Sequence, residues 1–184
     1  MTQIKINYQM EIILSLLNGE GHGRALAKQL KTSLTRIQSI LTELRKNNVV
    51  DYKEVGRNHL YFIKKNLVAK SFVLNAEEYK LVKIISKYNF LEPLFLDVIE
   101  KSKAKLIILF GSYAKELAHK NSDVDIYIDT TDEKIKKDIE KINDLINVKI
   151  GKFDKEEILI KEIIKNHVII KGQEEYYEKI GFFK

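Results

Sequence analysis

The 184-residue chain contains no cysteine, a single proline, Pro93, and only eight glycines. Without cysteine, disulfides and thiolate metal sites are excluded. Low glycine and serine content in the middle of the chain argues against a freely flexible tether there. Long apolar runs are also missing. The most apolar early stretch, Ile12-Ile13-Leu14-Ser15-Leu16-Leu17, is short, follows Glu11 and has no small-residue cleavage pattern. It reads as neither a signal peptide nor a membrane span, so the cytoplasm is the expected location and no membrane partner is expected. What is present is 45% hydrophobic residues, enough for one domain or two small ones.

The net charge of +6 is unevenly held. Residues 1–70 carry twelve Lys and Arg against five acids, a balance of +7, and the remainder balances at −1. Localised basicity is what binding to a phosphate backbone requires, whereas a near-neutral segment must rely on a specific site.

The basic segment is punctuated as three helices and a hairpin. Residues 8–17 have apolar side chains at helical spacing and stop at Asn18-Gly19, a helix C-terminal signal. A second short helix is predicted over 23–30, with Ala25, Leu26 and Leu30 inward. Ser33 is placed to cap a third, whose Leu34, Ile37, Ile40, Leu41 and Leu44 form one stripe opposite Thr35, Arg36, Gln38, Ser39, Thr42 and Lys46. Residues 49–55 and 60–63 are strand-like and joined by Gly56-Arg57-Asn58-His59, a hairpin turn containing glycine. Residues 1 to about 66 thereby resemble the winged helix-turn-helix domains of prokaryotic transcription regulators. That resemblance implies a third helix in the major groove, with Arg36, Gln38 and Ser39 toward base edges, and Lys53, Arg57 and Asn58 on phosphates or in the minor groove. Winged helices also serve as protein-interaction modules, and polar residues opposite an apolar stripe also occur on a merely solvated face. The charge asymmetry favours nucleic acid, with DNA as the partner. His22 and His59 fit phosphate better than metal, and His119 and His167 read as structural or surface residues.

Residues 67–102 are expected to form a helical connector. Asn75 with Glu78 has the spacing of a capping box ahead of Leu81, Ile84, Ile85 and Tyr88, and a second helix over 91–101 has Pro93 in its first turn. The apolar stripes are packing surface or a homodimer interface, since such regulators pair to match two-fold half-sites.

The chemistry is concentrated further on. An apolar strand ends in Leu109-Phe110-Gly111-Ser112, and Ser122-Asp123-Val124-Asp125 heads a second apolar strand. Alternation puts Asp123 and Asp125 on one strand face. Two carboxylates make a hard oxygen site for Mg²⁺ or Mn²⁺, which commonly keeps phosphate oxygens as further ligands. Gly111 permits close backbone approach, Ser112 stands where strand becomes helix, and Lys115 is placed to meet phosphate charge. From about Lys103 onward the chain resembles the polymerase beta-like nucleotidyltransferase superfamily, in particular its minimal branch, through Gly111-Ser112, a spacer of about ten residues and Asp123-x-Asp125. The resemblance implies Asp123 and Asp125 as catalytic and metal-binding residues, Gly111, Ser112 and Lys115 as nucleotide-binding ones, and an NTP, ATP in the first place, as substrate or ligand.

Active members carry a third carboxylate on the next strand. Here that strand is Ile146-Asn147-Val148-Lys149-Ile150 and the expected position falls on Lys149; Asp129, Asp144 and Asp154 are out of register substitutes. Two functions follow from the resemblance. One is a DNA-binding protein that transfers a nucleotidyl group to a protein or nucleic-acid acceptor; related minimal nucleotidyltransferases are antitoxins that modify HEPN-type toxins. The other is a non-catalytic winged-helix transcription regulator whose degenerate domain, with Lys149 at the third carboxylate, senses nucleotide or mediates interaction. The expected architecture is α+β / α/β: a winged helix-turn-helix over 1–66, the connector over 67–102, and a nucleotidyltransferase fold with a small mixed sheet over 103–184.

Overall fold

The structure, a computed structural model, describes residues 5–184. The chain divides into two compact units. One comprises residues through 79 together with 182–184, and the other comprises 80–181.

The first unit runs α1 (Tyr8–Leu17), β1 (Gly21–His22), α2 (Gly23–Gln29), α3 (Leu34–Lys46), β2 (Val50–Val55) and β3 (Asn58–Ile63). Three helices followed by a two-stranded wing, with β1 added to form an antiparallel sheet of order β1-β3-β2, make a winged helix-turn-helix. The helix starts follow cap chemistry. Asn7 Oδ1 accepts the N–H groups of Gln9 and Met10, and Ser33 Oγ accepts the Arg36 N–H at 3.2 Å. The stripe predicted on α3 is the one that is buried: Ile37, Leu41 and Leu44 are fully covered, together with Ile12 and Ile13 of α1 and Val49.

The wing differs from its sequence reading. Val55 pairs with Asn58, so only Gly56 and Arg57 form the turn, and Asn58 and His59 belong to β3. Gly56 has φ +61°, the positive value that places glycine first in tight hairpin turns. The two-residue strand β1 went unpredicted because nothing so short carries a period.

The expected capping box at Asn75 is also corrected. One helix, α4, spans Leu67–Lys87, with Asn75 in its interior. Its start is capped by Asn66, whose Oδ1 accepts the Ala69 N–H at 2.8 Å. Residues 67–79 of α4 belong to the first unit and 80–87 to the second.

The second unit continues with α5 (Leu91–Ser102), β4 (Ile107–Phe110), α6 (Gly111–Ala114), β5 (Val124–Asp129), α7 (Glu133–Glu140), β6 (Ile146–Gly151), α8 (Ile158–Lys165), β7 (Val168–Lys171) and α9 (Gln173–Ile180). The sheet order is β6-β5-β4-β7. β4 is antiparallel to both neighbours, and β5 and β6 run parallel. Parallel strands need a crossover, and α7 supplies it. Asp132 caps that helix by accepting the Lys134 N–H. Helix α9 buries Tyr176 and Tyr177.

Alternation along β5 sorts its residues between layers. Val124, Ile126 and Ile128 are fully buried in a core shared with Leu94, Phe95 and Val98 of α5 and Ile139 of α7. Asp125, Tyr127 and Asp129 face the other way. Tyr127 is covered there by Phe153, which in turn meets Tyr176 edge-on. The Tyr127 hydroxyl donates to the Gly151 carbonyl at 2.9 Å. Burial pushes its phenol well above the usual range, with the nearby Asp129 and Glu157 charges adding to the effect.

Removing the α3 cap tests the helix assignment. Ser33→Ala should cost about 1 kcal/mol, read as a lowered unfolding midpoint for the winged-helix unit. An unchanged midpoint would show that the cap contributes nothing.

Candidate nucleotide site and nucleic-acid interface

The site grows from the register of β4 on β5. Phe110 is the antiparallel partner of Asp125, so the residue that follows β4 and opens α6, Gly111, arrives beside the Asp125 carboxylate. Gly111 has φ +70°, and a Cβ built there would overlap Asp125 Oδ2 and lie 2.9 Å from Cγ. Two independent reasons therefore require glycine: backbone conformation and the space taken by the carboxylate. Ser112 follows at the turn from strand to helix and is partly exposed, while Tyr113 turns into the core.

The loop from α6 to β5 is tied at several points. Glu116 adopts φ +57°, and Lys87 Nζ donates to its carbonyl and its carboxylate at 3.2 and 3.0 Å. The His119 N–H donates to Ser122 Oγ at 2.8 Å. Asp123 is exposed immediately before β5, and Asp125 is partly buried within it. Lys115, expected to meet phosphate, caps α6 and pairs with Glu162 of α8 at 3.2 Å.

The third strand overturns the expectation for Lys149. In the parallel register Asp125 pairs with Asn147, and Lys149 pairs with Tyr127, one strand period further along. Asn147 Nδ2 donates to Asp125 Oδ1 at 2.7 Å, and Lys149 is exposed. The side chain that meets Asp125 from β6 is thus a neutral amide. None of the suggested substitutes takes its place. Asp129 accepts the Phe153 N–H at 3.0 Å and pairs with Lys179 at 3.0 Å, which holds that ammonium above the usual lysine range. Asp154 accepts the Glu156 N–H, and Asp144 is exposed before β6. Among the described residues no group of three or more His, Asp or Glu side chains is arranged to hold a metal ion.

Asp123 and Asp125 nonetheless supply hard oxygen donors of the kind that Mg²⁺ or Mn²⁺ takes, with Asn147 occupying one lone-pair direction of Asp125. The donor set fits a divalent cation that draws its remaining ligands from water and phosphate. His167 is buried, its Nδ1 3.0 Å from the Ile163 carbonyl, in keeping with a structural role; His119 is exposed.

In the winged helix, Arg36, Gln38 and Ser39 are exposed on the face of α3 opposite its buried stripe. The Arg36 guanidinium stands 5.0 Å from the Tyr8 ring centroid. Arg57 and Asn58 are exposed at the tip of the wing, whereas Lys53 pairs with Glu20 at 2.6 Å. A groove of about 580 Å³ lies between α3 and the wing, lined among others by His22, Arg24, Gln38, Arg57 and His59. Arg24 escaped the sequence reading, although its place just inside α2 was legible. The His22 ring donates through Nδ1 to the His59 carbonyl at 2.9 Å, since a carbonyl can only accept. His59 stacks on Tyr52 at 3.8 Å.

A strand ending in Gly-Ser, a turn of helix, a returning strand headed by Asp-x-Asp and a parallel third strand reached by a crossover all fall within one segment that a known family matches. Residues 91–179 match the nucleotidyltransferase domain family, a range that opens at the first residue of α5. At the level of sequence the chain matches no curated protein. Among solved structures it is similar to the adhesin competence repressor AdcR of Streptococcus pyogenes, with 19% identity and a TM-score of 0.40 over 49% of this chain and 67% of that one. It is also similar to a point mutant of ZitR from Lactococcus lactis, with 20% identity and a TM-score of 0.38 over 50% of this chain and 63% of that one. No helix among the described residues is long and apolar enough to cross a membrane.

The clash at Gly111 makes a direct test. Gly111→Ala should destabilise the second unit by more than about 1 kcal/mol, lowering its melting midpoint by roughly 4–8 °C per kcal/mol. Midpoints that coincide with the parent would show that Asp125 does not need this approach.

Proposed function

We propose that the chain is a DNA-binding protein whose second unit binds a metal–nucleoside triphosphate complex and transfers its nucleotidyl group to a hydroxyl acceptor. The observation that carries the reading is the seating of the Asp125 carboxylate over Gly111, the residue before Ser112, with Asp123 exposed two residues ahead of Asp125. Asp123 and Asp125 would hold Mg²⁺ or Mn²⁺; when bound, that ion offsets the charge that accumulates on the phosphates. The Ser112 hydroxyl binds a phosphate oxygen. Lys115 reaches the triphosphate by exchanging Glu162 for it, a small change because both groups of that surface ion pair are well solvated. The acceptor oxygen bonds the α-phosphorus, pyrophosphate leaves, and the hydroxyl proton passes to solvent. Positioning supplies most of the rate, since the chain offers no covalent intermediate. The acceptor is a protein, with a HEPN-type toxin the leading class, or a nucleic acid.

Asn147 favours a second reading. A neutral amide in place of the third acid supports a domain that binds nucleotide without turning it over and reports it to the DNA-binding unit. Incubation with α-labelled ATP, Mg²⁺ or Mn²⁺ and cell lysate separates the two readings. Label transfer that disappears in the Asp123→Asn, Asp125→Asn double variant supports the transferase; nucleotide binding without transfer supports the sensor. If the missing acid limits the rate, Asn147→Asp should raise transfer several-fold. It should also destabilise the metal-free protein by about 1–3 kcal/mol, because a donor is lost from Asp125 and a like charge is added.

For the first unit, the DNA reading is carried by Arg36, Gln38 and Ser39 on α3 and by Lys53, Arg57 and Asn58 in the wing. Replacing Arg36 and Arg57 together by alanine should abolish a mobility shift at physiological salt. Where binding is still measurable at low salt, the slope of log affinity against log salt should fall by about 0.9 for each phosphate that these arginines neutralise in the parent protein. Binding and slope unaltered by the double change would sink this reading.

A further inference from the structure

The loop that carries Asp123 also walls a pocket for which the phosphate chemistry has no use. It encloses about 380 Å³, and its aromatic lining is Tyr88, Phe90 and Tyr113; Ala118, His119, Lys120 and Leu145 complete it. The Tyr113 ring meets Tyr88 edge-on at 5.0 Å and Phe90 at 5.8 Å, so Tyr113 braces both of the other rings. Phe90 nevertheless keeps 44% of its surface exposed, with its edge contact to Tyr113 on the inner side. Two polar residues of the lining, His119 and Lys120, are exposed.

Three links tie the walls of this pocket to the turn and loop that carry the candidate nucleotide site. Tyr113 follows Ser112 in the chain. The His119 N–H is bonded to Ser122 Oγ, one residue before Asp123. The Leu145 carbonyl accepts the N–H of Val124, the residue between the two aspartates, at 2.7 Å.

We propose that the pocket holds the nucleobase of the nucleotide whose phosphates meet Ser112 and the aspartate pair, a proposal that rests on the nucleotide reading given above. The volume lies at the small end of the range for ligand pockets, which suits a flat base rather than a bulky side chain or a helix. Aromatic faces stack on bases of any identity. The Lys120 ammonium and the His119 ring supply hydrogen-bond donors for base or sugar oxygens and nitrogens at the mouth. Because the lining is mostly rings and carries few fixed polar groups, ATP and GTP should bind within a few-fold of each other.

The chain has no tryptophan, which makes a clean probe available. Phe90→Trp introduces the sole indole at the mouth of the pocket. Titration with Mg-ATP should change its fluorescence, whereas Mg-tripolyphosphate, which has phosphates and no base, should bind without that change. By calorimetry, Phe90→Ala should weaken ATP binding roughly 5- to 150-fold, the range expected for loss of one base–aromatic stack, and leave tripolyphosphate affinity as it was. If both ligands bind the parent protein and Phe90→Ala alters neither, the base lies elsewhere, and the proposal falls while the nucleotide reading stands. If neither ligand binds the parent protein, the nucleotide reading falls and takes the proposal with it.

Discussion

The second unit depends on the approach of a backbone without a side chain to a carboxylate. Gly111 brings β4 close against Asp125, and the pairing of Phe110 with Asp125 fixes where that approach falls. This register is held from the opposite face of the sheet. Slipping β5 by one residue would exchange the buried Val124, Ile126 and Ile128 for Asp125, Tyr127 and Asp129, a loss no local adjustment recovers. The hydrophobic core therefore decides which way the aspartates point, and the glycine decides how closely the turn into α6 can come to them. Stability and site geometry share one cause here, and residues far from the carboxylates, such as Ile139 of α7, help to aim them.

What the sequence made legible follows the strength of its periodic signals. The amphipathic stripe of α3 and its cap at Ser33 were plain because apolar spacing and cap chemistry agree, and local consistency of that kind is what specifies a helix. The Gly-Ser and Asp-x-Asp elements were plain for the same reason: strand alternation alone puts Asp123 and Asp125 on one face. Asn147 was harder. It and Lys149 share strand parity, so both were readable as facing the aspartates. Choosing between them requires the register of β6 on β5, which depends on the length of α7 and the turn after it. That helix ends at Glu140, and after the turn that follows, Asn147 stands level with Asp125. Asn75 misled for a comparable reason. A capping box is a local signal, and in α4 the cap at Asn66 starts the helix earlier, leaving Asn75 exposed in mid-helix.

The division of charge corresponds to a division of chemistry. All four arginines, at positions 24, 36, 45 and 57, lie in the winged-helix unit, and the second unit uses lysine alone for its cations. Arginine offers a planar fork suited to base edges and phosphate oxygens, whereas lysine is a hydrated point charge suited to solvation and to adjustable pairing. In the winged helix, Arg45 stands 4.3 Å over the Tyr52 ring and pairs with Asp51. It therefore helps to join α3 to the wing, which leaves Arg24, Arg36 and Arg57 as the arginines with exposed faces toward a partner. The near-neutral second unit has no comparable field, so the nucleotide binding proposed for it must come from specific interactions.

Asn147 changes what those interactions are asked to do. Three carboxylates converging on one place repel one another until a cation arrives, so such a site is organised by its metal. With an amide donating to Asp125 at 2.7 Å, the carboxylate is held in place by a charge-assisted hydrogen bond before any ion binds. The pair formed by Asp123 and Asp125 carries less negative charge than a triad would, which weakens its hold on a second cation and reduces its repulsion of an incoming triphosphate. A site of this kind is better suited to receiving one metal–nucleotide complex than to assembling two metals in sequence. Under the function proposed above, Asn147 shifts the balance from metal-organised chemistry toward recognition of the nucleotide, and it does so through a residue that the strand register alone could reveal.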